Sequence, residues 1–172
     1  MKKTIFILVI LTIIILVIVY SLSTGIFEAK IKKEINILGK NWTGNAISYS
    51  GYRDGQNPQK FIYPSQEEIT EDLKILEKNW KLIRTYGSDK HSQDILEVIR
   101  REKIQLKVML GAWLDKEPEY ETDNAKQIEK CIQLANEFTD IVVAVSVGNE
   151  ALVFWSSHPV PEDKVINYVK QV

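Results

Sequence analysis

Glu150 stands where a carboxyl group can exchange a proton with a ligand. It lies just past an apolar run, residues 141–147, with Gly148 and Asn149 between. A carboxyl carried at the end of a buried segment is held in place yet opens outward, as general acid–base work requires. Asn149 beside it offers an amide that both donates and accepts. Polar and aromatic residues recur in the same way after earlier apolar stretches. Tyr49, Arg53 and Asp54 follow the first; Tyr86 closes the second, which carries a charged Arg84 within it; Trp113 follows the third; Trp155 lies shortly after Glu150.

The rest of the composition narrows the chemistry. A single cysteine, Cys131, cannot make an intrachain disulfide, and it sits at an apolar helical position that suits a buried thiol. No spacing of His and Cys suggests a metal site, and no cofactor is expected. Lys and Arg number 22 against 23 Asp and Glu, a net charge of −1, with no basic stripe for nucleic acid. Hydrophobic residues are 45% and charged residues 26%, in the range of a folded domain.

Those site residues need elements to position them. The pattern predicts strands over residues 46–50, 81–86, 105–110 and 141–147. It predicts helices over 65–79, 91–103 and 122–138, and a fourth begun by Pro161-Glu162-Asp163. Ser65 and Glu68 make a capping box for the first helix. Thr122 or Asp123 caps the third. Residues 51–64 form a long loop rich in Gly, Asp, Asn and Pro. His91 is expected on the surface at a helix start, His158 in a loop, and the Glu117–Glu121 cluster on a solvated face. Strand–helix alternation implies parallel pairing. Either an open doubly wound sheet or a (β/α)₈ barrel fits. No Gly-x-Gly-x-x-Gly follows the first strand, which disfavours the nucleotide-binding version. Clustering of polar and aromatic residues after the strand ends favours the barrel, whose site lies at that face.

The N-terminus reads as a separate object. Residues 5–20 are apolar except for Thr12, and no charge occurs over 4–27. A helix of about 20 residues spans the hydrocarbon layer. Lys2 and Lys3 place the N-terminus inside, so the remainder is expected outside the membrane. A cleaved signal peptide, leaving a secreted domain, is the alternative. Residues 28–44 read as a spacer with a short amphipathic helix. The expected organisation is therefore an anchor over 1–27, a spacer over 28–44 and a domain over 45–172.

Four stretches then carry a resemblance. Val145-Ser146-Val147-Gly148-Asn149-Glu150 resembles the end of the fourth strand in the retaining barrel glycosidases, where an Asn-Glu pair closes the strand. With residues 46–56 at strand one, Ile83-Arg84-Thr85-Tyr86-Gly87 at strand two and Val108-Met109-Leu110-Gly111-Ala112-Trp113 at strand three, the chain resembles glycoside hydrolase family 17, the endo-β-1,3-glucanase family. The resemblance implies a (β/α)₈ barrel of which only the first four β/α units are present. It implies hydrolysis of β-glucan by a retaining double displacement, with the polysaccharide or its oligosaccharides as partner.

In that chemistry one carboxylic acid protonates the departing oxygen while a second carboxylate, about 5–5.5 Å away, attacks. The resemblance makes Glu150 the acid/base, expected to be part-buried beside its partner carboxylate. Asn149 takes the sugar 2-hydroxyl. Tyr49, Tyr86, Trp113 and Trp155 offer faces for pyranose rings, and Arg84 supports the nucleophile from inside the barrel. The nucleophile itself belongs at the end of strand seven, and this chain holds none. Three explanations stand open: part of a longer enzyme lacking here its C-terminal half, a half barrel completed by a second chain, or a degenerate remnant. A membrane-anchored glucan-binding module without catalysis is the reading of a different class.

Overall fold

The computed structural model describes residues 12–21 and 42–172. The chain divides into two compact units, Met1–Trp42 and Thr43–Val172. In the first, residues 12–21 are helical. Among the described residues no helix is long and apolar enough to cross a membrane. Most of the expected anchor (1–11 and 22–27) and the spacer helix lie outside the described residues.

The second unit runs β1 (Ile47–Ser48), α1 (Gln66–Leu76), β2 (Leu82–Arg84), α2 (Lys90–Glu102), β3 (Lys107–Ala112), α3 (Glu121–Glu137), β4 (Val142–Val147) and α4 (Glu162–Gln171). All pairings are parallel and the sheet order is β1-β2-β3-β4. That order decides between the two architectures. A doubly wound sheet reverses direction and places later strands beside the first. Here each strand adds beside the one before it, as in a (β/α)₈ barrel.

Local chemistry explains most element ends. Ser65 Oγ accepts from the Glu68 amide, and Glu68 returns the bond to the Ser65 amide, so the capping box forms as expected. Asp89 caps α2 through the Ser92 amide. Two expectations fail at later helices. α3 begins at Glu121 behind Tyr120, with no side-chain cap, so neither Thr122 nor Asp123 serves. Pro161 is the residue before α4, not its first helical position. The strands are shorter than their apolar runs at β1 and β2. Only Ile47 and Ser48 register with Ile83 and Arg84, since residues 49 onward turn into the loop.

Register sorts the side chains into two faces. Ile83, Val108, Leu110 and Ala112 are fully buried and face the helices. They meet Ile69 and Leu73 of α1, Ile95, Leu96 and Ile99 of α2, and Ile128, Cys131 and Leu134 of α3 in one apolar cluster. Cys131 is the buried core thiol expected, and burial raises its pKa. Arg84, Met109 and Ala144 share the opposite layer, the barrel-interior face, with Gly111 and Ser146 one pleat further on. That face is only part-buried at Arg84, Met109, Ala144 and Ser146, although β3 and β4 read as apolar on both sides. Gly111 has no room for a side chain: a Cβ there would lie 2.4 Å from the Thr85 carbonyl oxygen. The β2 and β3 ends are tied at this point. The Gly111 amide donates to Thr85 Oγ1 at 3.0 Å, and Ser88 Oγ donates to the Gly111 carbonyl at 2.6 Å.

Candidate active site

The C-terminal ends of β2 and β4 bring three of the expected residues together. Arg84 leaves the end of β2 on the interior face. Its Nη2 donates to Asn149 Oδ1 at 2.9 Å, and its guanidinium lies over the Tyr86 ring, 4.9 Å from the centroid. Guanidinium can only donate, so the atom of Asn149 that it holds is the oxygen. The two N–H bonds of Asn149 Nδ2 are thereby left for a ligand. Arg84 thus runs to Asn149 and Tyr86 and not outward to a helix. The cation–π contact contributes about 0.5–1 kcal/mol at such an exposed site.

Glu150 follows in a turn that the backbone enforces. Gly148 has φ +74° and Glu150 φ +53°, with Asn149 between them. The Gly148 amide donates to the Ala112 carbonyl at 2.9 Å, which fixes where the turn leaves β4. A non-glycine residue at positive φ is uncommon and costs of order 1 kcal/mol or more, an outlier that concentrates at functional positions. The expectation of a part-buried Glu150 is corrected: its side chain is exposed. β4 pairs only with β3 among the described residues, so its far side screens nothing.

Trp113 and Trp155 sit in the loops after β3 and β4, each against one other ring. Trp113 packs on His158 with centroids 4.5 Å apart, and Trp155 meets Phe154 edge-on at 4.7 Å. Tyr49 stands apart from this group. It is buried, its hydroxyl donates to Asp72 Oδ2 at 3.0 Å, and burial together with the Asp72 charge raises its pKa. Arg53 also holds Asp72, through Nη1 at 2.9 Å and Nη2 at 2.7 Å, so Arg53 pins the long first loop to α1.

Two further expectations are corrected. His91 is buried rather than on the surface. Its ring lies 5.0 Å from that of Tyr52, and its Nε2 is 2.6 Å from the Ser50 carbonyl oxygen. Burial lowers its pKa. Glu117 leaves the supposed solvated face and is only 8% exposed. It accepts from Tyr168 Oη at 2.6 Å and from Asn124 Nδ2 at 3.0 Å, with Lys164 Nζ at 3.8 Å. Burial opposes its charge, but those donors and the lysine outweigh burial and hold its pKa below the usual value. Sequence reasoning missed Phe154 as well, although its adjacency to Trp155 in a loop was a visible signal. Among the described residues no group of His, Cys, Asp and Glu is gathered as metal ligands are.

Residues 46–172 match the family of the BtgE/BtgC glycoside hydrolase domain. A glucan endo-1,3-beta-glucosidase btgC of Emericella nidulans is 29% identical over 114 residues, 63% of this chain and 17% of that protein. The chain spans only about 16–17% of the length of such curated relatives. An endo-laminarinase crystal structure from Formosa superposes with TM-score 0.66 at 36% identity, covering 77% of this chain and 38% of that one. A beta-1,3-glucanosyltransferase of Rhizomucor miehei, an active-site mutant in complex with laminaritriose, superposes with TM-score 0.54 over 74% of this chain and 43% of that one. At 21% identity it speaks for the fold alone.

Proposed function

Because the chain belongs to the BtgE/BtgC glycoside hydrolase domain family over residues 46–172, we propose that this unit carries the acid/base side of a retaining site acting on β-1,3-linked glucan. The observation that carries the reading is the Arg84–Asn149 bond set directly before Glu150 at the end of β4. Glu150 gives its proton to the glycosidic oxygen as the bond to the anomeric carbon breaks. A second carboxylate forms the new bond to that carbon. Water then attacks it, Glu150 takes the water's proton, and the carboxylate leaves. Asn149 Nδ2, turned to the ligand by Arg84, donates to the sugar 2-hydroxyl.

The second carboxylate is proposed to come from outside these four units. Three of the acidic residues near the strand ends, Asp72, Asp89 and Glu117, are each engaged structurally. Tethering of the unit to the outer face of a membrane by residues 4–27 is proposed on sequence alone. Membrane fractionation before and after deletion of that segment tests it.

Titrating the 172-residue chain with laminari-oligosaccharides, followed by calorimetry, tests the site. Wild type and Glu150→Gln should bind alike. Asn149→Ala should weaken binding roughly tenfold, about one lost hydrogen bond. The chain alone should release no reducing sugar. Absence of binding would overturn the site, and hydrolysis by Glu150→Gln would overturn the assignment of the acid/base.

A further inference from the structure

Glu150 holds a backbone conformation that its residue type disfavours, with φ +53°. A non-glycine residue stays in the left-handed region only where its surroundings over-determine it. The holding contacts lie on its C-terminal side. Ala151, the next residue, is buried, and a Cβ on Gly148 would lie 3.1 Å from the Ala151 Cβ and 3.4 Å from Cδ1 of the fully buried Leu114. The Ala151 carbonyl accepts from the Val160 amide at 2.9 Å, which closes the β4–α4 loop at its base. His158 lies two residues before Val160. Its amide donates to Ser156 Oγ at 3.1 Å, and its ring rests on Trp113 with centroids 4.5 Å apart. Trp113 is itself seated: it follows β3 directly, between the buried Ala112 and Leu114, and a Cβ on Gly87 would lie 3.6 Å from its Cβ. Contacts thus run unbroken from the end of β3 through the Trp113 and His158 rings and the Val160–Ala151 bond to the residue after Glu150. His158 Nδ1 is buried with no hydrogen-bond partner among the described residues. Packing on Trp113, not bonding at that nitrogen, therefore holds the ring.

We propose that His158 is a positioning residue for the acid: its ring, stopped against Trp113, holds the turn Gly148-Asn149-Glu150 in the shape in which Asn149 and Glu150 meet the sugar. This rests on the reading of Glu150 as acid/base and of Asn149 as donor to the 2-hydroxyl. His158 itself touches neither the substrate nor the reacting atoms in this account. It acts through the backbone. With the clasp open, the Val160–Ala151 closure loosens and nothing further down the loop opposes the relaxation of Glu150 to negative φ. Asn149 lies between the two positive-φ residues Gly148 and Glu150, so its side chain turns with them and leaves the Arg84 guanidinium that orients it.

The test uses the full, isotope-labelled chain with His158→Ala, His158→Phe, and His158→Ala combined with Asn149→Ala. At positive φ a residue's amide and α protons lie close together and give a strong cross-peak in nuclear Overhauser spectra. Glu150 should show that cross-peak in wild type and in His158→Phe, which keeps a ring on Trp113, and lose it in His158→Ala. Affinity for laminari-oligosaccharides, measured by calorimetry, should follow the same order. His158→Ala should weaken binding roughly tenfold, as Asn149→Ala does, and His158→Phe should bind as wild type does. The double variant should bind no more weakly than either single one, because His158 acts through Asn149 and its turn. Additive losses, or a Glu150 cross-peak unchanged in His158→Ala, would overturn the proposal while leaving Glu150 and Asn149 in place. Equal behaviour of His158→Phe and His158→Ala would overturn it too, since the hold would not lie in ring packing. If wild type binds no oligosaccharide, the reading of the site falls and the proposal falls with it.

Discussion

Glu117→Ala should remove about 3 kcal/mol of stability, although the residue lies outside the candidate site. The figure follows from what the side chain leaves behind. Tyr168 Oη, 2.6 Å away on a buried ring, loses its acceptor, and Asn124 Nδ2 loses one of two. A buried donor left without a partner costs about 1–3 kcal/mol. Asn124 keeps the Asp115 carbonyl at 2.8 Å, so its share falls at the low end. The lysine adds little, because Lys164 is 40% exposed and 3.8 Å distant. Urea denaturation followed by circular dichroism measures the change. At this chain length the thermal midpoint should fall by about 6–12 °C. Glu117→Gln keeps an oxygen acceptor and should cost less than about 1 kcal/mol. Combining Glu117→Ala with Tyr168→Phe should give clearly less than the sum of the two single losses. A loss under about 1 kcal/mol for the alanine variant, or equal losses for alanine and glutamine, would refute this account of the network.

Three other outcomes are expected. Burial holds the pKa of His91 below its ordinary value near 6.5, against Asp89 and Asp94, which raise it, and with Lys90, which lowers it. The unfolded chain therefore binds the proton first: stability is full above about pH 6.5 and is lost as pH falls toward the folded-state pKa. His91→Phe should flatten that limb in stability measured against pH, and an unchanged limb would refute the assignment. Gly111→Ala should cost at least about 2 kcal/mol in denaturation, because its Cβ meets backbone at 2.4 Å that cannot rotate away. Arg84→Met leaves the Asn149 amide unoriented. Binding of laminari-oligosaccharides should weaken about as much as in Asn149→Ala, with the thermal midpoint little changed.

What the sequence disclosed was what is decided locally. Ser65 and Glu68 cap α1 because the box is closed within four residues, and Asn149 and Glu150 fall just past a strand end because the run before them is apolar apart from Ser146. The sheet order was legible only as one of two options, since alternation of strands and helices does not say on which side the next strand lands. Glu117 was misjudged because Tyr168 lies 51 residues away, and no local pattern distinguishes that glutamate from Glu119 or Glu121. His91 was placed outside for the same reason: Ser50 and Tyr52, which cover it, belong to the loop after β1. Tyr49 fits the pattern of a strand-end aromatic, and only its bond to Asp72 turns it inward.

The sequential strand order also bears on how the chain is made. Each of β2, β3 and β4 pairs with the strand synthesised just before it. Pairing of these four strands can therefore follow the ribosome, β1 with β2, then β3, then β4, while contacts such as Glu117 with Tyr168 wait for α4. The cost falls on the newest strand. While it is the last to be laid down, its outer hydrogen-bonding edge is open, and strand edges in that state invite pairing with another chain. In β4 the register slips at Val143, which is exposed, and an irregularity of that kind interrupts the regular ladder a second chain would copy.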